Sequence, residues 1–203
     1  VKANATKNAN GKITRKCSVC GKTTTSTLYA PKTVTLSAAS YTYDGKVKKP
    51  SVTVKDSKGN KIGSQYYTVS YPSGRKNVGK YTVKVTFKGN YIGSKSATFA
   101  IKPKGTSVSK VTAAKKGFKV TWKKQATQTT GYEVQYSTAS NFKKGNKTVT
   151  VSKNKTTSKS VSKLSAKKKY YVRVRTYKTV KVNGKNVKLY SGWSKAKSVT
   201  TKK

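Results

Sequence analysis

Tyr170-Tyr-Val172-Arg-Val174 places Tyr, Val and Val at every second position, and Phe118-Lys-Val120-Thr-Trp122 does the same with Phe, Val and Trp. A period of two sends alternate side chains to opposite faces of a β-strand. One face of each stretch is therefore apolar, and the other carries Lys, Thr, Tyr and Arg. This pattern predicts antiparallel strands that bury one face and expose the other.

The same alternation recurs along most of the chain, interrupted by Gly-, Asn- and Pro-containing turns such as Asp44-Gly45 and Lys88-Gly89-Asn90. Leu is scarce, Met is absent, and no window has the spacing of an amphipathic helix. Further strands are predicted at Tyr67–Tyr71, Tyr81–Phe87, Ala97–Ile101, Tyr132–Tyr136, Thr148–Val151, Thr157–Leu164 and Ser198–Thr201. The sequence predicts an all-β protein of two tandem antiparallel β-sandwich modules.

Three segments are expected. Residues 1–31 are rich in Lys, Asn and Thr and hold a Cys-x-x-Cys-Gly turn between two polar arms, which predicts a short hairpin. We expect this segment to be an appendage or the end of a preceding module. Residues 32–103 form the first sandwich and residues 104–203 the second, joined by the short linker at Pro103-Lys-Gly105.

The charged residues exclude most catalytic chemistry. The chain has 47 Lys and Arg against 3 Asp and Glu, a net charge of +44, and no His. Asp44, Asp56 and Glu133 are far apart in sequence, so carboxylate-pair and Ser-His-Asp mechanisms both lack parts. A Lys base with a Ser nucleophile is conceivable, but nothing distinguishes one lysine from the others. We expect a non-enzymatic protein with no catalytic residues and no cofactor.

No apolar stretch approaches the roughly 20 residues that span a bilayer, so no membrane insertion is expected. The chain begins at Val1 and contains neither a signal peptide nor a sorting pattern, which suggests a piece of a longer protein. Its location therefore has to be inferred from resemblance to other proteins.

The second module resembles a fibronectin type III domain over roughly residues 103–203. The resemblance rests on Trp122, on Leu164 followed six residues later by Tyr170, and on Val172 and Val174. It implies a tyrosine corner in which the Tyr170 hydroxyl bonds to the backbone upstream. The proline usual in that corner is replaced by Ala166.

The first module is similar to the small immunoglobulin-like repeats of surface proteins from Gram-positive gut bacteria. The matching stretches are Tyr43-Asp-Gly45 before Lys49-Pro50-Ser-Val-Thr-Val54, then Asn77-Val-Gly79-Lys-Tyr81-Thr-Val83 and Gly89-Asn-Tyr91-Ile-Gly93. The whole chain resembles the lysine-rich repeat surface proteins of gut commensals, a group that includes immunoglobulin-binding, B-cell-superantigen-type proteins. The resemblance implies an extracellular protein of the bacterial surface or wall, with host immunoglobulin as the favoured partner.

Arginine, tyrosine and tryptophan mark a candidate binding surface. If Tyr170, Val172 and Val174 face inward, their neighbours face outward, and Trp193 in Ser-Gly-Trp-Ser can stack on Arg173 or Arg175. This resembles half of the Trp-Ser-x-Trp-Ser ladder of cytokine-receptor modules. Two interpretations stay open, a structural surface ladder and an anchor for a protein partner. The candidate protein-binding residues are Tyr66, Tyr171, Arg173, Arg175, Tyr177 and Trp193.

Cys17 and Cys20 allow several interpretations. In an exported protein a short disulfide that closes the hairpin is favoured. The alternatives are free thiols, a shared metal site and a redox motif. Zinc needs about four ligands, so this chain holds no complete metal site without a partner chain or other residues. A redox motif belongs at a helix N-terminus beside a βαβ unit, which the pattern lacks.

The lysine excess predicts attraction to polyanions and repulsion between copies, so we expect a monomer. Lysine on exposed faces and edges also keeps β-sheets soluble. Besides a host protein, two further functions are open: a structural stalk that binds wall teichoic acid, and an adhesin for mucin or glycosaminoglycan. Nucleic acid is expected to bind only nonspecifically, because base stacking needs clustered aromatics in a basic groove.

Overall fold

The computed structural model describes residues 2–6 and 9–203, with side chains at 4–6 and 9–203. Within that part the regular structure is β-strand, apart from one short 3-10 turn at Ser64–Tyr66. The all-β prediction is confirmed. By its internal contacts the chain divides into two compact units, one made largely of residues up to Ala100 and the other largely of residues from Ile101.

The N-terminal segment forms the predicted hairpin and packs on the first unit. Its strands are β1 Lys2–Ala3, β2 Ala5–Thr6, β3 Gly11–Lys16 and β4 Thr23–Leu28. β3 and β4 pair with Thr14 opposite Thr25, and the Cys-containing turn connects the two strands. Ala5 is fully buried in the core of this unit, and its N–H donates to the carbonyl of Asn90 at 3.0 Å. The segment is therefore part of the unit, and the expectation of an appendage was wrong.

The remaining strands of the first unit build two sheets. They are β5 Pro31–Leu36, β6 Ser40–Thr42, β7 Val52–Asp56, β8 Lys61–Ile62, β9 Tyr67–Ser70, β10 Gly79–Phe87, β11 Tyr91–Ile92 and β12 Ser94–Lys102. The strand orders are β6-β12-β10-β9 and β5-β7-β8, while β11 pairs with β2. Alternating apolar residues of these strands meet in a small core that includes Val54, Val85 and Phe87.

The second unit is a sandwich of a three-stranded and a five-stranded sheet. Its strands are β13 Val108–Ala114, β14 Gly117–Trp122, β15 Gly131–Ser137, β16 Lys147–Val151, β17 Ser158–Val161, β18 Lys169–Val182, β19 Lys185–Tyr190 and β20 Lys197–Thr200. The smaller sheet has the order β13-β14-β17 and the larger β16-β15-β18-β19, with β20 also paired to β18. β18 is much longer than the predicted strand, because the turn at Asn183-Gly184, with both φ angles positive, returns the chain as β19.

Aromatic rings fill the core between these sheets. The rings of Trp122 and Tyr132 lie 5.3 Å apart, and Phe118 lies 5.5 Å from Tyr136. The buried Tyr132 hydroxyl accepts the Gln125 N–H at 2.8 Å and donates to the carbonyl of Asn154 at 2.9 Å. The hydroxyl of Tyr132 is thus hydrogen-bonded while its ring is buried.

Candidate functional site

The arginines of β18 lie on the outward face of the five-stranded sheet. In the antiparallel register Arg173 stands opposite Gln135 and Arg175 opposite Glu133, both on β15. Because side chains alternate along a strand, Val172, Val174 and their neighbours in the core force these four residues to the outside. Directly opposed pairs on one sheet face are close enough for their side chains to bond.

Guanidinium groups and aromatic rings alternate across this face. Arg173 Cζ lies 3.9 Å from the ring centroid of Phe142 and 4.7 Å from that of Trp193. Arg175 Cζ lies 4.2 Å from the Trp193 centroid and 3.8 Å from that of Tyr190. We call Phe142, Arg173, Trp193, Arg175 and Tyr190 the ladder. Each of its guanidiniums contacts two rings, an arrangement that planar arginine permits and lysine does not.

The edges of the two guanidiniums are also occupied. Arg175 donates from Nε and Nη2 to Glu133 Oε2 at 3.0 and 2.6 Å. Arg173 donates in the same way to Gln135 Oε1 at 2.8 and 2.5 Å. One arginine therefore has a charged partner and the other a neutral one, in otherwise equivalent positions. Glu133 leaves β15 on the outward side, yet it is only 6% exposed, because Arg175 lies over it.

Two serines bring Trp193 into the ladder. Between β19 and β20 the chain runs beside β18, and the Ser191 and Ser194 backbones donate to the Thr176 and Val174 carbonyls at 3.1 and 2.8 Å. The hydroxyl of Ser194 accepts the Val174 N–H at 3.1 Å, and that of Ser191 accepts the Thr176 N–H at 3.0 Å. The serine hydroxyls thus replace backbone partners of a regular strand, which holds Trp193 against the sheet face.

Burial and neighbouring charges shift the pKa values of two ladder residues, Arg173 and Tyr190. Burial lowers the pKa of Arg173, and the positive charge of Arg175 lowers it further. Burial raises the pKa of the Tyr190 hydroxyl, and its hydrogen bond to Glu133 and the charge of that carboxylate add to the effect. Both effects favour the neutral form of the Tyr190 phenol beside Glu133.

The structure brings together three of the predicted residues, Arg173, Arg175 and Trp193. Tyr171 lies on the same sheet face, half-buried, with the Lys169 ammonium 5.5 Å above its ring. Tyr177 was expected to be exposed, but only 3% of it is accessible, since Tyr190 and the Lys188 side chain cover its ring at 6.1 and 4.6 Å.

Tyr66 does not present a free ring. It belongs to the first unit, where it is half-buried and meets the ring of Tyr91 edge-on at 5.4 Å. Tyr66 was predicted as a binding residue, and strand alternation with the inward-facing Tyr67 would put it on the outer face, but the structure does not place it there. Alternation does not apply there, because Tyr66 ends the 3-10 turn and the strand starts only at Tyr67.

Sequence reasoning missed four members of the site: Phe142, Tyr190, Glu133 and Gln135. The alternation of Glu133 and Gln135 with buried residues of β15 was a usable signal, since it places both on the face of the arginines. Tyr190 directly precedes Ser191-Gly-Trp193-Ser, so its place in the sequence next to the predicted Trp193 was also a usable signal. Phe142 had no such signal, because it lies in an irregular loop with φ 54° and reaches Arg173 only through the fold.

The Cys-x-x-Cys turn holds two exposed free thiols, so the expected disulfide is not formed in this structure. Backbone bonds close the turn instead, from Cys17 N–H to the Lys22 carbonyl at 2.8 Å and from Gly21 N–H to the Cys17 carbonyl at 3.0 Å. Hydrogen bonds from the Cys20 backbone, the Cys20 side chain and the Val19 backbone lower the pKa of the Cys17 thiol, in that order of size.

The three carboxylates have structural partners. Asp56 accepts the N–H groups of Lys58 and Asn60, both at 2.9 Å, and Asp44 accepts that of Lys46 at 2.9 Å. These bonds hold turns, while Glu133 holds the ladder. Within residues 2–6 and 9–203, no three His, Cys, Asp or Glu side chains cluster as a complete metal site requires.

Among residues 2–6 and 9–203, no helix has the length and apolar character needed to cross a membrane.

Comparison with known proteins gives a family match for each module. No curated protein matches the chain significantly. Among solved structures, the chicken CNTN1 FN1-FN3 domains are 16% identical with a TM-score of 0.42, covering 96% of this chain and 78% of that one. Domains A168-A170 from titin are 17% identical with a TM-score of 0.36, covering 99% and 75%. Residues 32–105 match the MBG domain, a bacterial Ig-like type of module, and residues 101–188 match the fibronectin type III domain.

Proposed function

We propose that this chain is a non-enzymatic binding segment of an extracellular bacterial surface protein, and that it engages a host protein, with immunoglobulin as the first candidate. Modules of the fibronectin type III kind are generally non-catalytic and act as binding modules or as stalks. The choice of immunoglobulin rests on the resemblance of the whole chain to lysine-rich commensal surface proteins.

The observation that carries the proposal is the ladder face. Arg, Trp and Tyr are the residue types that dominate the energetics of protein interfaces. Here Arg173 and Arg175 are already ordered by rings and by Gln135 and Glu133, and Trp193 stays half-exposed. A partner that docks on this face pays little side-chain entropy, because the anchors do not have to be immobilised on binding.

The charge of the chain selects the partner surface. A net charge of +44 on a small extracellular module accelerates encounter with an acidic protein surface and opposes encounter with a basic one. Lysine steering raises the association rate, while the ladder face sets the lifetime of the complex. The partner is therefore an acidic surface with an apolar or aromatic centre.

The test is binding of purified immunoglobulin at about 0.15 M salt, where screening over roughly 8 Å suppresses long-range attraction. Tyr171→Ala and Trp193→Ala should each weaken binding about tenfold, as expected for the loss of an interface anchor. Lys119→Gln on the opposite sheet is the matched control and should leave the dissociation rate unchanged. Saturable binding whose affinity is unchanged by both aromatic substitutions would contradict the proposed site. The absence of saturable binding would contradict immunoglobulin as the partner.

The net charge favours a second candidate, a stalk that holds on to the anionic polymers of the wall. Most lysines have no carboxylate to pair with, since 47 cations face 3 acids. Such binding weakens linearly in the logarithm of salt concentration through counterion release. If teichoic acid binds with this steep dependence, and immunoglobulin binds no better than a protein of similar charge, the stalk is the function.

A further inference from the structure

The hairpin of β3 and β4 ends in a turn that presents sulfur to the solvent. Cys17 and Cys20 are both exposed and carry free thiols. Val19 between them is 94% exposed, the largest exposure among the big apolar side chains that the structure describes. The ladder and the two cores use none of these residues.

One backbone N–H of the turn points at Cys17 Sγ. The Cys20 N–H donates to this sulfur at 3.5 Å, and the Gly21 N–H donates to the carbonyl of Cys17. Gly21 has φ +70°, a conformation that glycine adopts without strain and that lets the chain fold back here. Amide donors aimed at a cysteine sulfur stabilise its anionic form, which is the form that binds metal.

We propose that Cys17 and Cys20 are half of a tetrahedral zinc site, and that the same hairpin of a second copy of this chain supplies the other half. Structural zinc takes four ligands in tetrahedral geometry, and Cys-x-x-Cys is the usual spacing of one ligand pair. A second copy presents the identical Cys17 and Cys20 pair, so two hairpins together supply four thiolate ligands. This inference is independent of the proposed function, because it uses no residue of the ladder.

Charge supports a four-thiolate centre. One Zn²⁺ with four thiolates carries a net charge of about −2. Arg15, Lys16 and Lys22 flank the cysteines in the sequence of each hairpin, and the Lys16 side chain reaches the turn, 3.9 Å from where a Gly21 side chain would begin. Cations on both copies therefore offset the negative metal centre.

The remaining charge acts against the dimer. Two chains of net charge +44 repel each other, and salt screens this repulsion. The zinc-bridged dimer should therefore form more readily as salt rises. Polyanion binding has the opposite dependence, so the two are easily distinguished.

The experiment uses the full 203-residue chain, kept reduced, with zinc or cobalt as the probe and sedimentation velocity as the readout. Zinc should convert monomer to dimer with about one ion per two chains, and Co²⁺ should show the visible bands of tetrahedral thiolate coordination. Cys17→Ser and Cys20→Ser should each abolish the dimer. Ser18→Ala, between the cysteines, is the matched control and should leave it intact.

Three results would overturn the proposal. One is a monomer that binds zinc with one ion per chain, and another is uptake that survives both cysteine substitutions. The third is a dimer that weakens as salt rises. Failure of immunoglobulin binding would leave the zinc result unaffected, so the two proposals fail separately.

Discussion

The two outward faces of the second unit both carry cations but hold them differently. On the five-stranded sheet, Arg173 and Arg175 are fixed by rings and by side-chain acceptors. On the three-stranded sheet, Lys110 and Lys119 stand exposed among Thr and Ser. Planar arginine can be ordered by stacking while its edge donates, whereas the lysine ammonium is compact and strongly hydrated. The first face offers a preorganised surface, and the second contributes charge alone.

The largest expected effect comes from removing the ladder's carboxylate. Glu133→Ala leaves Arg175 without its acceptor in a site where the two side chains are 24% and 8% exposed. Breaking such a pair should cost about 2–3 kcal/mol in the free energy of unfolding, below the range for fully buried pairs because Arg175 reaches water. Urea denaturation of the purified variant measures this loss.

Gln135→Ala is the matched control on the same strand. It removes the neutral acceptor of Arg173 in the equivalent position, so its cost should be near 1 kcal/mol, that of an ordinary hydrogen bond. Equal losses for the two variants would mean that the charge of Glu133 contributes nothing, and the contrast between charged and neutral partners would fail.

Removing the central ring should have an intermediate effect. Trp193→Ala takes away the ring that both guanidiniums contact, at 4.7 and 4.2 Å. Two partly exposed cation–π contacts are worth about 1–2 kcal/mol together, which thermal unfolding detects as a lower Tm. Trp193→Phe keeps a ring with a weaker quadrupole and should recover part of the loss. A Tm unchanged by Trp193→Ala would show that these cation–π contacts do not contribute to stability.

The smallest effect is expected on the lysine face. Lys119→Gln removes one exposed surface charge, so the free energy of unfolding should change by no more than about 0.5 kcal/mol. Its effect should appear instead in polyanion binding, where the salt slope falls by about 1 per lost contact. A stability loss comparable to that of Glu133→Ala would contradict the distinction between the two faces.

Local patterning predicted the strands well where one face is apolar and the other polar. Tyr67–Ser70, Gly117–Trp122 and Gly131–Ser137 appear close to their expected bounds. Val108–Ala114 and Lys185–Tyr190 were missed, since Ser, Lys and Ala dilute the alternation in the first and a short Asn-Gly turn precedes the second. The pattern also indicated that Arg173, Arg175 and Trp193 share one surface.

Exposure was less predictable than orientation. Tyr177 and Glu133 do point to the outward side of their strands, yet both are buried, because Tyr190, Lys188 and Arg175 lie over them. Alternation states which face a side chain leaves from, and it carries no information about what covers that face.

Residue order alone was enough to establish two-residue periodicity, an all-β fold and an excess of positive charge, since each depends on neighbours along the chain. Assembly of the ladder depended on the fold, because Phe142, Trp193 and Tyr190 come from separate stretches that meet β18 only after its register with β15 and β19 is set. Contacts between residues distant in sequence arise from register and loop path, and these are properties of the packed sheets.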